Sequence, residues 1–425
     1  MKKLLIIGYV WPEPNSSAAG SRMLDLIRLF QAEHWKITFA SASALSSHRF
    51  NLEEINVAEK LVELNSSTFD QFVSELQPDA VIFDRFFTEE QFGWRVDKVC
   101  PQAIKILDTE DLHCLRHTRQ RLLKEKKQPF TKESERQSVE PVLLPLNDLH
   151  QEMLKDELCL RELAAIYRCD LSLIISRFEM ELLVDYFHIP EYLLIYCPYW
   201  SLGGLPHSRN LAFEQRKDFL FIGNFRHEPN WDAVLWLKYQ LWPKISSQLP
   251  DAVLHIYGAY PPPKATELHN LKEKFLIKGW VDDSILVTQN ARVTLAPLRF
   301  GAGLKGKLFE SMKSYTPSVT TSIGAEGIVH ADEWPGVVAD EVDSFVQAAV
   351  NLYTDKDFWC ERQKKILLTL LKFSPADATD WAPELEGLMA ELEMHRTKNF
   401  IGKLLRHEFH QAHKFMGLWI EAKNK

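Results

Sequence analysis

A chain of 425 residues is too long for one ordinary hydrophobic core, and it predicts two domains of similar size. The content of 46% hydrophobic and 25% charged residues is typical of a globular protein and excludes a disordered one. The net charge of −8 gives no overall reason to expect a nucleic-acid partner, although it does not exclude a local basic patch.

The N-terminal half alternates apolar runs with helical periodicities. Leu4–Val10 is a continuous apolar run, which predicts a strand of a parallel sheet buried on both faces. Apolar residues at helical spacing predict a helix over Ser21–Ala32. Further strands are predicted at Ile37–Ala40, Ala80–Phe83, Ile104–Leu107 and Leu171–Ser176. This alternation predicts a doubly wound parallel sheet.

The sequence gives little indication of a signal peptide, a membrane helix or a cysteine motif. The first apolar run is short and leads into a proline-rich segment with no small-residue cleavage site, so we expect no signal peptide. No segment approaches the ~20 apolar residues that a membrane helix needs. The six cysteines form no C-x-x-C pair, which predicts reduced thiols in a cytoplasmic protein without a zinc site.

The second half repeats the same architecture without a visible sequence repeat. Its strands are predicted at Phe219–Ile222, Val253–Tyr257, Phe275–Lys278, Val293–Ala296 and Ser318–Thr321. We therefore expect an α/β protein with two Rossmann-like domains, residues 1–200 and 201–375, followed by a helical segment at 376–425. Because ligands bind at the carboxyl ends of such strands, two facing sheets would form a ligand-binding cleft.

A glycine-rich loop follows the fourth of these strands. Gly301 and Gly303 allow a sharp turn and a close approach of backbone N–H groups to a ligand. A helix is predicted over Leu304–Lys313, and its first turn would present unpaired N–H groups and the positive end of its dipole. The loop and helix together predict an anion site.

Charged residues extend this site. Lys305 and Lys307 add positive charge beside the predicted helix start, and Glu310 could accept two hydrogen bonds from a ribose diol. This spacing suits a nucleotide diphosphate. The alternative is an ordinary strand–loop–helix corner with solvated lysines.

Four blocks of the second half resemble bacterial family 4 glycosyltransferases. They occur in the family's order at Phe221–Ala233, Lys278–Asp283, Pro297–Glu310 and Thr320–Ile328. The resemblance implies the GT-B fold, with a late helix that crosses back to the first domain. It also implies a retaining transfer of a sugar from a nucleotide-diphosphate donor to an acceptor hydroxyl, with neither a metal nor another cofactor.

The resemblance places donor-binding residues in both domains. They are Gly20, Gly223, Arg226, Trp280, Val281, Gly301, Ala302, Gly303, Leu304, Lys305, Lys307 and Glu310. Lys305 is the favoured cation for the leaving diphosphate. The family's first glutamate is replaced here by Ala302. Backbone N–H groups of the Gly301–Leu304 loop would then replace its sugar contact, or the donor sugar would differ.

The loop after the strand Ile104–Leu107 supplies the remaining catalytic candidates. Asp111 or His113 would orient the acceptor hydroxyl or take part in proton transfer. The alternative is that this loop caps a helix, with Asp108 or Thr109 as the N-cap residue.

Two segments are basic although the chain is acidic. One is Arg116–Lys127, and the other is residues 395–425, where seven Lys or Arg and two Glu residues give a charge of +5. The second segment also has a one-sided apolar stripe at helical spacing. It would pack on the first domain, lie on an anionic membrane, or bind a nucleic-acid acceptor such as tRNA.

The sequence thus predicts a cytoplasmic glycosyltransferase, associated peripherally with the inner face of the membrane if the tail binds lipid. A glycan or lipid-linked glycan is the expected acceptor, and a tRNA-type acceptor is the alternative. A protein from a different class, which binds a nucleotide sugar or a glycan without turning it over, is the other reading, and Ala302 is its support.

Overall fold

The structure, a computed structural model, describes residues 1–126, 140–198, 210–373 and 381–424. Two sheets, each parallel throughout, lie one in each half of the described chain. The expected fold class of two doubly wound α/β domains is confirmed. The predicted boundaries at 200/201 and 375/376 lie outside the described residues and stay predictions.

The first sheet has seven strands in the order β3-β2-β1-β4-β5-β6-β7. They are β1 (Lys3–Gly8), β2 (Lys36–Ser41), β3 (Ala58–Leu61), β4 (Ala80–Asp84), β5 (Ile104–Asp108), β6 (Leu171–Ile174) and β7 (Leu194–Tyr196). Along β1, Leu5 and Ile7 face one core, whereas Leu4 and Ile6 face the other. This alternation explains why the central strands are continuous apolar runs, since both faces are covered.

The second sheet has six strands in the order β10-β9-β8-β11-β12-β13. They are β8 (Lys217–Ile222), β9 (Leu254–Tyr257), β10 (Phe275–Gly279), β11 (Ala291–Ala296), β12 (Ser318–Thr320) and β13 (Gly336–Val338). Every strand predicted in both halves is confirmed, with ends that differ by a few residues.

Helices cover the sheets. In the first half they are α1 (Ala18–Ala32), α2 (Ser67–Leu76), α3 (Phe86–Val99), α4 (His113–Glu125), α5 (Leu146–Met153), α6 (Glu157–Arg168) and α7 (Arg177–Glu181). In the second half they are α8 (Glu228–Trp236), α9 (Trp242–Gln248), α10 (Pro263–Thr266), α11 (Ser284–Asn290), α12 (Gly306–Lys313), α13 (Ser322–Ala325), α14 (Val342–Thr354) and α15 (Lys356–Leu371). The C-terminal helices are α16 (Trp381–Ala390), α17 (Leu392–Lys398) and α18 (Phe400–Asn424).

The C-terminal helices return to the first domain, as the resemblance implied. Trp381, Leu385 and Leu392 pack in the same core as Phe30 of α1. Downstream, the guanidinium group of Arg396 donates hydrogen bonds to the buried Asp170 carboxylate at 2.7 and 2.8 Å. Among the described residues, no helix is long and apolar enough to cross a membrane.

Candidate functional site

A cleft of about 530 Å³ lies between the carboxyl ends of the two sheets. Loops after β1, β4 and β5 line it from the first domain, and loops after β8, β9, β10 and β11 line it from the second. The cleft therefore lies where parallel sheets bind ligands. The cleft is lined by every predicted site residue except Gly303.

Two helix N-termini meet at one end of this cleft. The helix α1 begins at Ala18 and α12 begins at Gly306, two residues later than its predicted start. A Cβ atom added at Gly306 would lie 2.5 Å from the Cβ atom of Ala18. Only glycine allows this approach, and the positive ends of both helices consequently face the same space.

Lys305 and Lys307 add cations at this point, but in different settings. Lys305 is the N-cap residue of α12, is 6% exposed, and donates from Nζ to the Gly303 carbonyl oxygen at 2.8 Å. Lys307 donates to Asn230 Oδ1 at 2.7 Å, and burial lowers its pKa to about 8. Burial also lowers the pKa of Lys305, against nearby carboxylates led by Glu326 that raise it. Both ammonium groups are shielded from solvent, so an anion bound in the cleft would compensate their positive charge.

Glu310 lies in the second turn of α12 and lines the same cleft. Burial raises the pKa of its carboxyl group, while Lys307 and a hydrogen bond with Ser284 lower it. This placement allows the carboxylate to accept hydrogen bonds from a hydroxyl-bearing ligand.

The glycine loop is held from the opposite domain. The Gly303 N–H donates to Glu179 Oε1 at 2.7 Å, and the same oxygen accepts a bond from the Leu112 N–H at 3.0 Å. Gly303 has φ of +62°, and an added Cβ there would lie 2.8 Å from the Asp111 Cβ atom. This N–H is therefore engaged within the protein. Ala302 packs against the core of the first domain.

Aromatic residues also line the cleft. The Trp280 indole stacks on His48 of the first domain with ring centroids 4.7 Å apart, and its Nε1 donates to the Asn15 carbonyl oxygen at 3.2 Å. The Arg226 guanidinium lies over the Tyr260 ring, 3.6 Å from its centroid. A flat, partly apolar surface of this kind suits a nucleobase.

Three smaller predicted residues shape the surrounding backbone. Val281 packs with Ile222 in a small apolar cluster behind the Trp280 loop. A Cβ atom at Gly20 would lie 2.4 Å from backbone atoms of Glu13, and one at Gly223 would lie 2.7 Å from the Asn230 side chain. Both glycines are therefore needed for close packing of the loops.

Asp111 and His113 meet at the start of α4. Asp111 forms an ion pair with Arg116, and its Oδ1 lies 3.4 Å from His113 Nε2. Burial opposes ionisation of Asp111, but the ion pair with Arg116 outweighs it and lowers the pKa of Asp111. Burial lowers the pKa of His113 to about 3 despite the attraction of Asp111. The pair thus consists of an ionised carboxylate and a neutral imidazole at neutral pH, an arrangement able to accept a hydrogen bond from a hydroxyl group.

The predicted capping role of Asp108 and Thr109 is wrong. Helix α4 begins at His113 with Leu112 as its N-cap, and the first backbone N–H groups donate to Glu162 of α6 instead. Asp108 forms a fully buried ion pair with Arg22 at 2.8 Å. The Arg22 side chain therefore connects α1 with the ends of β5 and β7, and it is too buried to contact a ligand.

Sequence reasoning missed two carboxylates of the first-domain wall. Asp84 ends β4, and Glu110 follows β5 with a left-handed φ of +60°. Among the described residues, Asp84 Oδ1 and Glu110 Oε1 are buried without a hydrogen-bond partner. Burial is the largest cause raising the pKa of each group. Their signal in the sequence was an acidic residue at, or shortly after, the end of a buried strand.

Arg119 joins the two domains beside the glycine loop. Its guanidinium group donates to both carboxylate oxygens of Glu326 at 2.8 and 2.6 Å, and also to the Gly301 carbonyl oxygen at 2.8 Å. Arg116 and Arg121 of the same predicted basic segment are paired with acidic residues as well. In the described part of this segment, these three arginines are thus all paired with acidic residues of the chain itself.

Comparisons with known proteins agree with this architecture. Residues 216–355 match the family model described as Glycosyl transferases group 1. HepE of Anabaena, solved with UDP-glucose, is 10% identical with a TM-score of 0.59 over 93% of this chain and 100% of that chain. The chain has the GT-B glycosyltransferase fold.

Other GT-B structures are similar over different lengths. Sucrose-phosphate synthase of Thermosynechococcus elongatus is 12% identical with a TM-score of 0.57, over 94% of this chain and 99% of that chain. A TarM mutant of S. aureus, solved with UDP, is 11% identical with a TM-score of 0.52, over 75% of this chain and 58% of that chain. The chain therefore spans little more than half of TarM. No curated protein matches it in sequence.

Proposed function

We propose that this GT-B protein transfers a sugar from a nucleotide-diphosphate sugar to an acceptor hydroxyl, with retention of configuration. The observation that carries the proposal is the junction of two helix N-termini with Lys305 and Lys307, within reach of Glu310. Dipoles and cations favour the diphosphate, and a carboxylate that can accept from two hydroxyls favours a ribose. HepE, which has the same fold, binds UDP-glucose.

The chemistry follows from charge that develops on the diphosphate. As the bond between the anomeric carbon and the phosphate oxygen breaks, negative charge grows on that oxygen, and Lys305, Lys307 and the helix N-termini stabilise it. The acceptor oxygen then bonds to the anomeric carbon on the face that the diphosphate leaves. The acceptor proton passes to the departing phosphate oxygen, so no carboxylate of the protein has to act as nucleophile.

Asp111 and His113 orient the acceptor in this proposal. The neutral imidazole can accept a hydrogen bond from the acceptor hydroxyl, and the ionised carboxylate stabilises any positive charge on the ring. We assign no metal or other cofactor to the reaction. Among the described residues, no cluster of three or more His, Cys, Asp or Glu side chains has a metal-binding arrangement.

The acceptor is proposed to be a glycan or a lipid-linked glycan. A tRNA-type acceptor has less support, because Arg116, Arg119 and Arg121 are engaged in ion pairs within the chain. A binding protein without turnover remains the second candidate function, and the replacement of the expected glutamate by Ala302 favours it.

A nucleotide panel tests the proposal. We expect one of UDP, GDP, ADP or CMP to raise the melting temperature clearly, and the matching sugar nucleotide to be slowly hydrolysed without an acceptor. Binding without any hydrolysis or transfer would favour the binding protein. No shift with any nucleotide would refute the assignment of the cleft.

A further inference from the structure

The C-terminal helix α18 exposes its apolar stripe. Seven large apolar side chains of this helix are 40–69% exposed: Phe400, Ile401, Leu404, Phe415, Met416, Leu418 and Trp419. Apolar groups so closely spaced along one element are unusual on a monomeric protein and mark an interaction surface. Packing of the stripe on the first domain, one of the three predicted outcomes for the tail, is therefore wrong for these seven side chains, although the Arg168 guanidinium group lies against Phe409, 3.8 Å from the centroid of its ring.

The opposite face of α18 holds the helix in this orientation. A Cβ atom at Gly402 would lie 2.1 Å from the Tyr167 carbonyl oxygen, and one at Gly417 would lie 3.1 Å from the Trp94 ring. Arg406 donates to the Arg168 carbonyl oxygen at 2.6 Å and to the Asp170 carboxylate at 3.0 Å. Glycines and a partly buried guanidinium group thus bind the helix to the domain, and the apolar stripe cannot rotate inward without losing these contacts.

The charge beside the stripe is positive. The segment 395–425 carries +5, and the remaining residues of the chain carry −13. Two of these positive charges, Arg396 and Arg406, are paired with Asp170. Lys403, His407 and Lys414 are exposed and follow one another along the helix edge next to the apolar stripe. At 100° per residue they lie within about 40° of each other. Glu408, whose carboxylate pairs with His407 at 3.1 Å, is exposed on the same face as the apolar stripe. An apolar face bordered by cationic residues along one edge is the pattern of a helix that lies in a membrane interface.

We propose that the exposed face of α18 docks the protein onto an anionic bilayer surface. The apolar side chains would enter the boundary between headgroups and acyl chains, and the flanking lysines would contact acidic headgroups. A second copy of the chain fits less well, because an antiparallel two-fold interface would place each row of lysines against its own copy. A nucleic acid would leave the aliphatic and aromatic side chains without an apolar partner.

This inference is independent of the proposed sugar transfer. No residue of α18 lines the cleft, so lipid binding and nucleotide binding can be measured separately on the full chain. The probe is a sedimenting vesicle of phosphatidylcholine with about 30% phosphatidylglycerol, and the reference is pure phosphatidylcholine. We expect the protein to sediment with the first and much less with the second.

Two triple variants sharpen the experiment. Leu404→Gln, Phe415→Gln and Trp419→Gln together should lower the partition coefficient by at least about tenfold. The matched control places three glutamines at exposed leucines elsewhere: Leu154→Gln, Leu271→Gln and Leu368→Gln. This control should bind as the parent does.

The lysines provide a second, milder test. Lys403→Gln and Lys414→Gln should each weaken binding to anionic vesicles by about fivefold, and about 0.5 M NaCl should have a similar effect. An unchanged nucleotide-dependent thermal shift would show that the variants are folded. Equal sedimentation of the parent and the apolar triple variant would overturn the proposal. The proposal would also be overturned if the parent did not bind the vesicles but formed a dimer in light scattering, and if the apolar triple variant did not form that dimer.

Discussion

The replacement of Glu310 by glutamine tests the nucleotide site most directly. A hydrogen bond to a charged group contributes about 1.5–3 kcal/mol of net free energy, whereas a hydrogen bond between neutral groups contributes about 0.5–1.5 kcal/mol. Glutamine keeps one acceptor oxygen and loses both the charge and the second acceptor. We therefore expect donor affinity to fall by about 2.7 kcal/mol, which corresponds to about 100-fold in Kd.

A thermal-shift assay converts this loss into a clear signal. At a concentration 100 times its Kd, the nucleotide identified by the panel stabilises the parent by ~2.7 kcal/mol. At the same concentration, a variant with a 100-fold higher Kd gains only about 0.4 kcal/mol by the same relation. Glu361→Gln, on the exposed surface of α15, is the matched control and should keep the full stabilisation.

Without nucleotide, Glu310→Gln should not lower the stability of the folded protein. Burial raises the pKa of Glu310 above its ordinary value. The ionised carboxylate therefore destabilises the folded state at pH values above the raised pKa, and this penalty vanishes below the ordinary value near 4.5. Glutamine removes the penalty, so the melting temperature at pH 7 without nucleotide should be equal to or higher than that of the parent.

Deoxynucleotides identify the hydrogen-bond partner. If Glu310 binds the ribose diol, the parent should prefer the nucleotide identified by the panel to its 2′-deoxy form, and Glu310→Gln should lose most of that preference. A folded variant that binds this nucleotide with the affinity of the parent would refute the assignment.

Three further predictions follow from the same site. Because the pKa of Lys307 is about 8, diphosphate affinity should fall above that pH by up to about tenfold per unit, and titration calorimetry at several pH values should show it. Gly306→Ala should lower turnover sharply, since the added Cβ would lie 2.5 Å from that of Ala18, and adding Ala18→Gly should restore most of the rate. Arg119→Gln should weaken domain closure and speed hydrogen exchange in the glycine loop, whereas Arg121→Gln should not.

The strands that sequence analysis missed share a physical cause. β3, β7 and β13 are three or four residues long and lie at sheet edges. The exposed strand β3 reads Ala-Glu-Lys-Leu, which carries no apolar run, because an edge strand needs little burial. The central strands were predictable because burial on both faces requires continuous apolar residues.

Long-range contacts set the limit of prediction at the site. The position of Lys305, Lys307 and Glu310 on one loop and helix follows from local sequence. The bond from Gly303 to Glu179 spans 124 residues and the pairing of Arg22 with Asp108 spans 86, so neither leaves a local pattern. The periodicity of residues 395–425 likewise predicted a one-sided helix, but not that glycines would form its packed side.

The acidic groups of the cleft could make the sugar contacts of the glutamate that Ala302 replaces. Ala302 packs on the first domain, and Asp84 and Glu110 lie on the facing wall, each with one carboxylate oxygen that has no hydrogen-bond partner among the described residues. The Glu110 carbonyl oxygen is 3.4 Å from the position of a Cβ atom at Gly303, so this wall directly adjoins the glycine loop. We infer that carboxylates of the first domain supply the sugar contacts that the glycine loop lacks. Recognition of the sugar would then depend on domain closure more strongly than recognition of the nucleotide, because its ligands belong to the opposite domain.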